Sequence, residues 1–200
     1  MPKTFSDSER AYIRERLMEE GKACLSLYGI RKTTVDELVK RVKIPKGTFY
    51  LFYESKDLLF FEIFCTLHDE MQEKLLAELA VLEGDMDADT LTNLFFSLYK
   101  SLDDSFLLTL ITSGELELLF RKLPPELVKQ HAEMDDFRVE ELVSLVPNLK
   151  AHDIRIFSAA MRGIFISLLH KREVGEEVFD EALRVMLRGV VLQMFEGEPS

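Results

Sequence analysis

The sequence predicts an all-α protein with an N-terminal three-helix domain of helix-turn-helix form over residues 1–54 and a larger helical domain over residues 55–200. Three observations predict it. Apolar residues recur at i, i+3, i+4 spacing along almost the whole chain, no segment alternates with period two, and Gly29, Gly84, Pro124-Pro125 and Pro147-Asn148 punctuate the periodic segments. With 200 residues, 47% of them hydrophobic, the chain can bury a substantial core.

The first helix is expected from about Ser8 to Leu27, with Tyr12, Ile13, Leu17, Ala23, Cys24 and Leu27 inward and Gly29 as its stop. Thr34 opens a second, short helix. Its hydroxyl can cap an early N–H and Glu37 completes a capping box, while Val35, Leu38, Val39 and Val42 form the buried stripe and Asp36, Glu37, Lys40 and Arg41 take the solvent side. The third helix starts near Pro45, a residue favoured in a first turn, and buries Phe49, Phe52 and Tyr53. That leaves Lys46, Gly47, Thr48, Tyr50 and Leu51 outward. The fourth helix runs from a Ser55 cap to about Leu82, roughly 40 Å at 1.5 Å per residue. Later helices are expected near 88–102, 105–121 with a break at Ser113-Gly114, 125–146, 151–171 and 176–195.

The outward residues of the third helix suit a nucleic acid. Lysine and threonine donate to base edges or phosphate, a tyrosine hydroxyl reaches phosphate, glycine permits close approach, and leucine can touch a thymine methyl. Charge agrees with this. Residues 1–56 hold twelve Lys/Arg against eight Asp/Glu, whereas the other 144 hold thirteen against twenty-eight, within a net charge of −11. An acidic chain with a locally basic end fits docking on DNA through that end, where phosphate neutralisation supplies salt-dependent affinity.

The segment Thr33-Thr34, then Lys46-Gly47-Thr48-Phe49-Tyr50, then Ser55-Lys56-Asp57-Leu58, covering about the first quarter of the chain, resembles the DNA-binding domain of the TetR (tetracycline-repressor-like) family of bacterial regulators. The resemblance implies phosphate contacts from Thr33 or Thr34, Thr48, Tyr50 and Lys56, and base contacts from Lys46, Gly47 and Leu51. Three positions depart from the family pattern. Lys43 stands where a turn glycine is common and is expected in a left-handed conformation costing around 1 kcal/mol. Pro45, at a contact position, replaces a common serine, and Leu51 replaces a histidine or tyrosine.

The segments from Ile154 and from Phe179 are apolar on more than one face, so they need burial on two sides. The family resemblance implies a dimer, and on that ground a two-fold interface of two helices from each protomer is expected. It would use Phe157, Ala160, Met161, Gly163, Ile164 and Leu168 of one helix, and Leu183, Leu187 and Val190 of the other; a central core pair within one protomer is the alternative. A homodimer on a palindromic DNA operator also supplies the contacts that one short recognition helix lacks.

Phe64, Leu67, His68 and Met71 recur on the fourth helix and Phe95 and Tyr99 on the fifth, with Phe106, Leu110, Phe120, Met134 and Phe137 after them. Each suits an ordinary core; the resemblance implies a ligand cavity among them, for a small apolar or aromatic effector, which makes residues 55–200 a ligand-binding and dimerisation domain. Enzyme patterns are absent from the sequence. No glycine-rich phosphate loop follows a strand, the four histidines lack metal-ligand spacing, and His131 with Glu133, Asp135 and Asp136 reads as a solvated face. Neither a cofactor nor a metal is expected. Cys24 and Cys65 read as structural thiols, and the absence of a signal core or long uncharged apolar run predicts a soluble, cytoplasmic protein. The expected function is a ligand-responsive transcriptional regulator, a repressor; an all-α enzyme or carrier for a lipid-like substrate and an interaction module with a non-binding helix-turn-helix are the alternatives.

Overall fold

The structure is a computed structural model and describes residues 5–81, 86–103, 106–131, 133–134, 146 and 154–196. Helices dominate these residues and no strand occurs among them. In chain order they are α1 (Asp7–Lys32), α2 (Val35–Val42), α3 (Lys46–Phe49), α4 (Lys56–Val81), α5 (Ala88–Asp103), α6 (Phe106–Thr112), α7 (Glu115–Phe120), α8 (125–131), α9 (Ile154–Ser167), α10 (Lys171–Val174) and α11 (Phe179–Glu196). Short 3-10 turns at Leu168–His170 and Glu176–Val178 flank α10, where an unbroken helix over 151–171 was expected. Most of the helix expected over 125–146 lies outside the described residues.

The chain forms two compact units, residues 1–68 with 109–125 and residues 69–108 with 126–200. In the first unit, α1 starts at a true capping box: Ser6 accepts from the Glu9 N–H, and the Glu9 carboxylate accepts from the Ser6 N–H at 2.9 Å. The residues Ile13, Leu17, Gly21 and Cys24 form its buried stripe. Tyr12 and Leu27, expected inward, are 62% and 64% exposed; Tyr12 lies one residue, about 100°, round from Ile13. Helix α4 packs close at Gly21, where a Cβ would stand 2.6 Å from Ile63 Cδ1. Gly29 (φ 75°, ψ −178°) breaks α1 in a conformation open essentially to glycine alone. Polar ties hold that break. The Glu115 carboxylate, from α7, accepts from the Ile30 N–H, and the buried Thr33 hydroxyl donates to Gly29 O at 2.7 Å.

The second unit has its own core. Leu75 and Leu79 of α4 join Leu91, Phe95 and Tyr99 of α5, Ile164 of α9, and Phe179, Leu183, Leu187 and Val191 of α11. Helix α11 packs on both α5 and α9. Arg184 and Arg188 secure the α5 side, with the Arg184 guanidinium 3.6 Å above the Phe96 ring and Arg188 Nε 2.9 Å from Asp89.

Candidate nucleic-acid interface

Helix α2 is specified locally. Thr34 accepts from the Glu37 N–H at 3.2 Å, as its sequence position predicts, but the return half of the expected capping box is not made. Glu37 instead takes the Arg41 Nε at 2.8 Å, one turn along, where the charged pair outcompetes the cap. Lys43 ends α2 in the left-handed conformation (φ 61°, ψ 43°), its N–H returning to Val39 O. Pro45 then leads into α3, a single helical turn followed by tight bonds from Leu51 N to Thr48 O and from Phe52 N to Phe49 O.

The underside of this segment is packed. Leu38 and Phe49 are completely buried, Val39 and Tyr53 nearly so, and Arg10 and Arg14 cover the Phe52 and Tyr53 rings at 5.3 and 5.5 Å. Arg14 is in turn fixed by Glu62 of α4 at 2.7 Å. The backbone of the turn is therefore held from below.

Six of the nine expected contact residues stand exposed on α2, α3 and the turn: Thr34, Pro45, Lys46, Gly47, Tyr50 and Leu51. A Cβ at Gly47 would meet nothing within 4 Å, so its outer side is open. The remaining three are placed differently. Thr33 is buried with its hydroxyl spent on the end of α1, and Thr48 is 7% exposed, turned inward beside Phe49. Lys56 is half-buried, its ammonium donating to Ile30 O at 2.9 Å and Thr33 O at 2.6 Å, and burial lowers its pKa below the usual lysine value. It caps the carbonyls at the α1 break.

Sequence periodicity missed two residues that shape this face. Asp36, assigned to plain solvent, hydrogen-bonds Lys46 at 3.0 Å and thereby raises the lysine pKa. Glu115 braces the α1 break from 85 residues away. Neither spacing is helical, so only the fold brings these pairs together.

The expected ligand residues fall in both units. In the first, the Phe64 ring stacks on His68 (6.0 Å, 10°) and meets Phe120 edge-on at 5.3 Å; Leu67 is half-buried and Leu110 buried. In the second, Phe95 and Tyr99 are buried, with the Tyr99 hydroxyl donating to Met161 O at 2.8 Å, Met71 and Phe106 are half-buried, and Met134 is 55% exposed. Phe137 lies outside the described residues.

The expected interface residues also divide. Ile164, Leu168, Leu183 and Leu187 belong to the core of the second unit, whereas Gly163 is exposed and Phe157, Ala160, Met161 and Val190 are half-buried. Beside them α9 and α11 leave a groove of about 510 Å³ lined by small and apolar residues, including Ala160, Gly163, Val185 and Gly189. Val185 is 72% and Ile156 58% exposed.

An all-α chain that mounts a braced helix-turn-helix on a long following helix belongs to a recognisable class. Residues 17–63 match the family model "Bacterial regulatory proteins, tetR family", and the chain thus carries the helix-turn-helix segment of that family. YhgD of Bacillus subtilis (strain 168), an HTH-type transcriptional regulator, is 36% identical over 61 residues, 30% of this chain and 32% of that one. The matches to curated relatives span about a third of those proteins' length. Over the whole chain the fold resembles a Mesorhizobium loti protein described as a TetR-family transcriptional regulator (TM-score 0.60, 15% identity, 96% and 98% of the two chains). It also resembles FadR of Bacillus subtilis, solved with stearoyl-CoA (TM-score 0.56, 16% identity, 92% and 99%). Among the described residues no helix is long and apolar enough to cross a membrane.

Proposed function

We propose that this protein is a ligand-responsive, DNA-binding transcriptional regulator, a repressor that grips a palindromic operator as a homodimer and is released by a small apolar or aromatic effector. The observation that carries the reading is the exposed set Lys46, Gly47, Tyr50 and Leu51 on a turn whose underside is fixed by Leu38, Phe49 and Tyr53. Lysine and glycine at the start of α3 suit base edges, while Thr34 and Tyr50 suit the flanking phosphates.

Dimerisation through α9 and α11 is supported by exposed Ile156 and Val185 and by the groove along Gly163 and Gly189. Small residues let helices approach closely, and a two-fold pair suits a palindrome whose half-sites lie about one DNA turn apart, ~34 Å. For the effector, the half-buried Phe64, Leu67 and His68 of α4 with Phe120 offer an aromatic lining, and FadR of Bacillus subtilis, solved with stearoyl-CoA, shares the fold. Lys56 at the start of the same helix holds the carbonyls of Ile30 and Thr33. A shift of α4 on ligand binding therefore pulls at the corner that precedes α2, and ligand and DNA oppose each other to the extent that each prefers a different conformer.

The test is a titration of purified protein onto the DNA upstream of its own gene, followed by a challenge of the complex with a long-chain acyl-CoA and with a simple phenol. Binding that weakens with salt and is reversed by one of these compounds is expected. Absence of any binding to that DNA at low salt contradicts the reading.

A further inference from the structure

Asp36 in the first turn of α2 and Lys46 at the start of α3 meet on the exposed side of the turn, with Lys46 Nζ 3.0 Å from each carboxylate oxygen. Their side chains are 73% and 51% exposed, so as a fold support the pair contributes little. Its placement on a face that would meet a polyanion is the informative feature. A lone carboxylate there would be repelled by phosphate, but this one arrives already neutralised. What the pair presents is a donor and an acceptor side by side with no net charge.

That arrangement has a complement in the major groove. A G·C pair displays two adjacent acceptors, guanine N7 and O6, and then the cytosine N4 amine as donor. Guanine O6 and cytosine N4 are themselves hydrogen-bonded, so they stand one ordinary N–H···O distance apart, about 2.9 Å. The Lys46–Asp36 separation matches it. An A·T pair fits poorly, because adenine N6 puts a donor next to N7, where the ammonium needs a second acceptor.

We propose that Asp36 and Lys46 together read one G·C pair in each half-site, Lys46 Nζ donating to guanine O6 and N7 and Asp36 accepting from cytosine N4. This rests on the DNA-binding reading above and deepens it: Asp36 becomes a specificity-determining residue, one that lowers affinity for random DNA while sharpening the choice of sequence.

The experiment is a binding selection from duplexes carrying a randomised core of roughly 25 base pairs, enough for two half-sites, using full-length wild type, Asp36→Ala and Asp36→Asn, with helicity checked for each. The wild type should enrich a motif in which one G·C pair per half-site is preferred on the order of tenfold. Asp36→Ala should lose that preference alone, keep the others, and bind random duplex several-fold more tightly, since Lys46 is then released to phosphate. Asp36→Asn, nearly isosteric, should move the same position towards A·T, because an amide pairs with adenine N6 and N7. A motif unchanged at every position in both variants overturns the paired reader and leaves DNA binding standing. A well-folded wild type that enriches no motif overturns the DNA-binding reading and this inference with it.

Discussion

Two exposed faces of the molecule are built on opposite principles. The α2–α3 face mixes polar Thr34, Asp36 and Lys46 with exposed Tyr50 and Leu51, and its Asp36 carboxylate is already paired to Lys46. The groove between α9 and α11 is mainly apolar, with Val185 exposed beside glycines at positions 163 and 189, and Ile156 of α9 is exposed as well. The first is complementary to a charged, hydrogen-bonding surface, and the second to a copy of something equally apolar. Under the proposed function the former would serve a protein that leaves its DNA when a ligand binds, since ionic contacts respond to salt, and the latter would serve a lasting assembly of two copies.

The contrast is sharpest within α11, where exposed Val185 stands two residues from buried Leu187. Leu187→Ala should cost about 2–5 kcal/mol of unfolding free energy at any protein concentration, because Leu187 is fully buried in its own protomer; denaturant titration checks this. Val185→Asp should leave the folded protomer nearly as stable but abolish assembly, so that sedimentation reports one 23.2 kDa chain where wild type reports two, with operator affinity falling by about a hundredfold, some 2.7 kcal/mol. If Val185→Asp still sediments as a dimer, the apolar face serves another purpose.

Smaller effects test the polar side. Gly29→Ala forces a Cβ to within 2.6 Å of Glu115 Oε2 at a φ that alanine resists, so a loss of about 1–3 kcal/mol is expected in thermal or denaturant unfolding. The smallest effect should be a gain. Lys43→Gly relieves the left-handed strain at the end of α2, partly offset by glycine's freedom in the unfolded chain, and should stabilise by up to about 1 kcal/mol.

How far the sequence carries is visible in these same residues. The Thr34 cap, the break at Gly114 (φ 70°) and the buried Leu38 and Phe49 follow from local chemistry and spacing, which the chain displays over a few residues, whereas the left-handed Lys43 was expected through the family resemblance, which puts a turn glycine there. Periodicity also marks α9 and α11 as doubly apolar, but it cannot divide their residues between protomer core and outer face: Leu187 and Val185 look alike until α5 packs against one of them. Thr33 and Lys56 were expected to hold phosphate through the family resemblance, yet their polar atoms meet the carbonyls exposed by the Gly29 break. Asp36 was invisible as a site because its partner is ten residues away in a different helix.

The most direct test of DNA docking through α2 and α3 is the affinity of wild type and of the double variant Lys46→Ala/Tyr50→Ala for the DNA upstream of the gene, measured by fluorescence anisotropy across a fourfold range of salt. Wild-type affinity should fall steeply with salt, and the double variant should bind at least about tenfold more weakly, with unchanged helicity and mass. Equal binding by the two proteins would contradict the account.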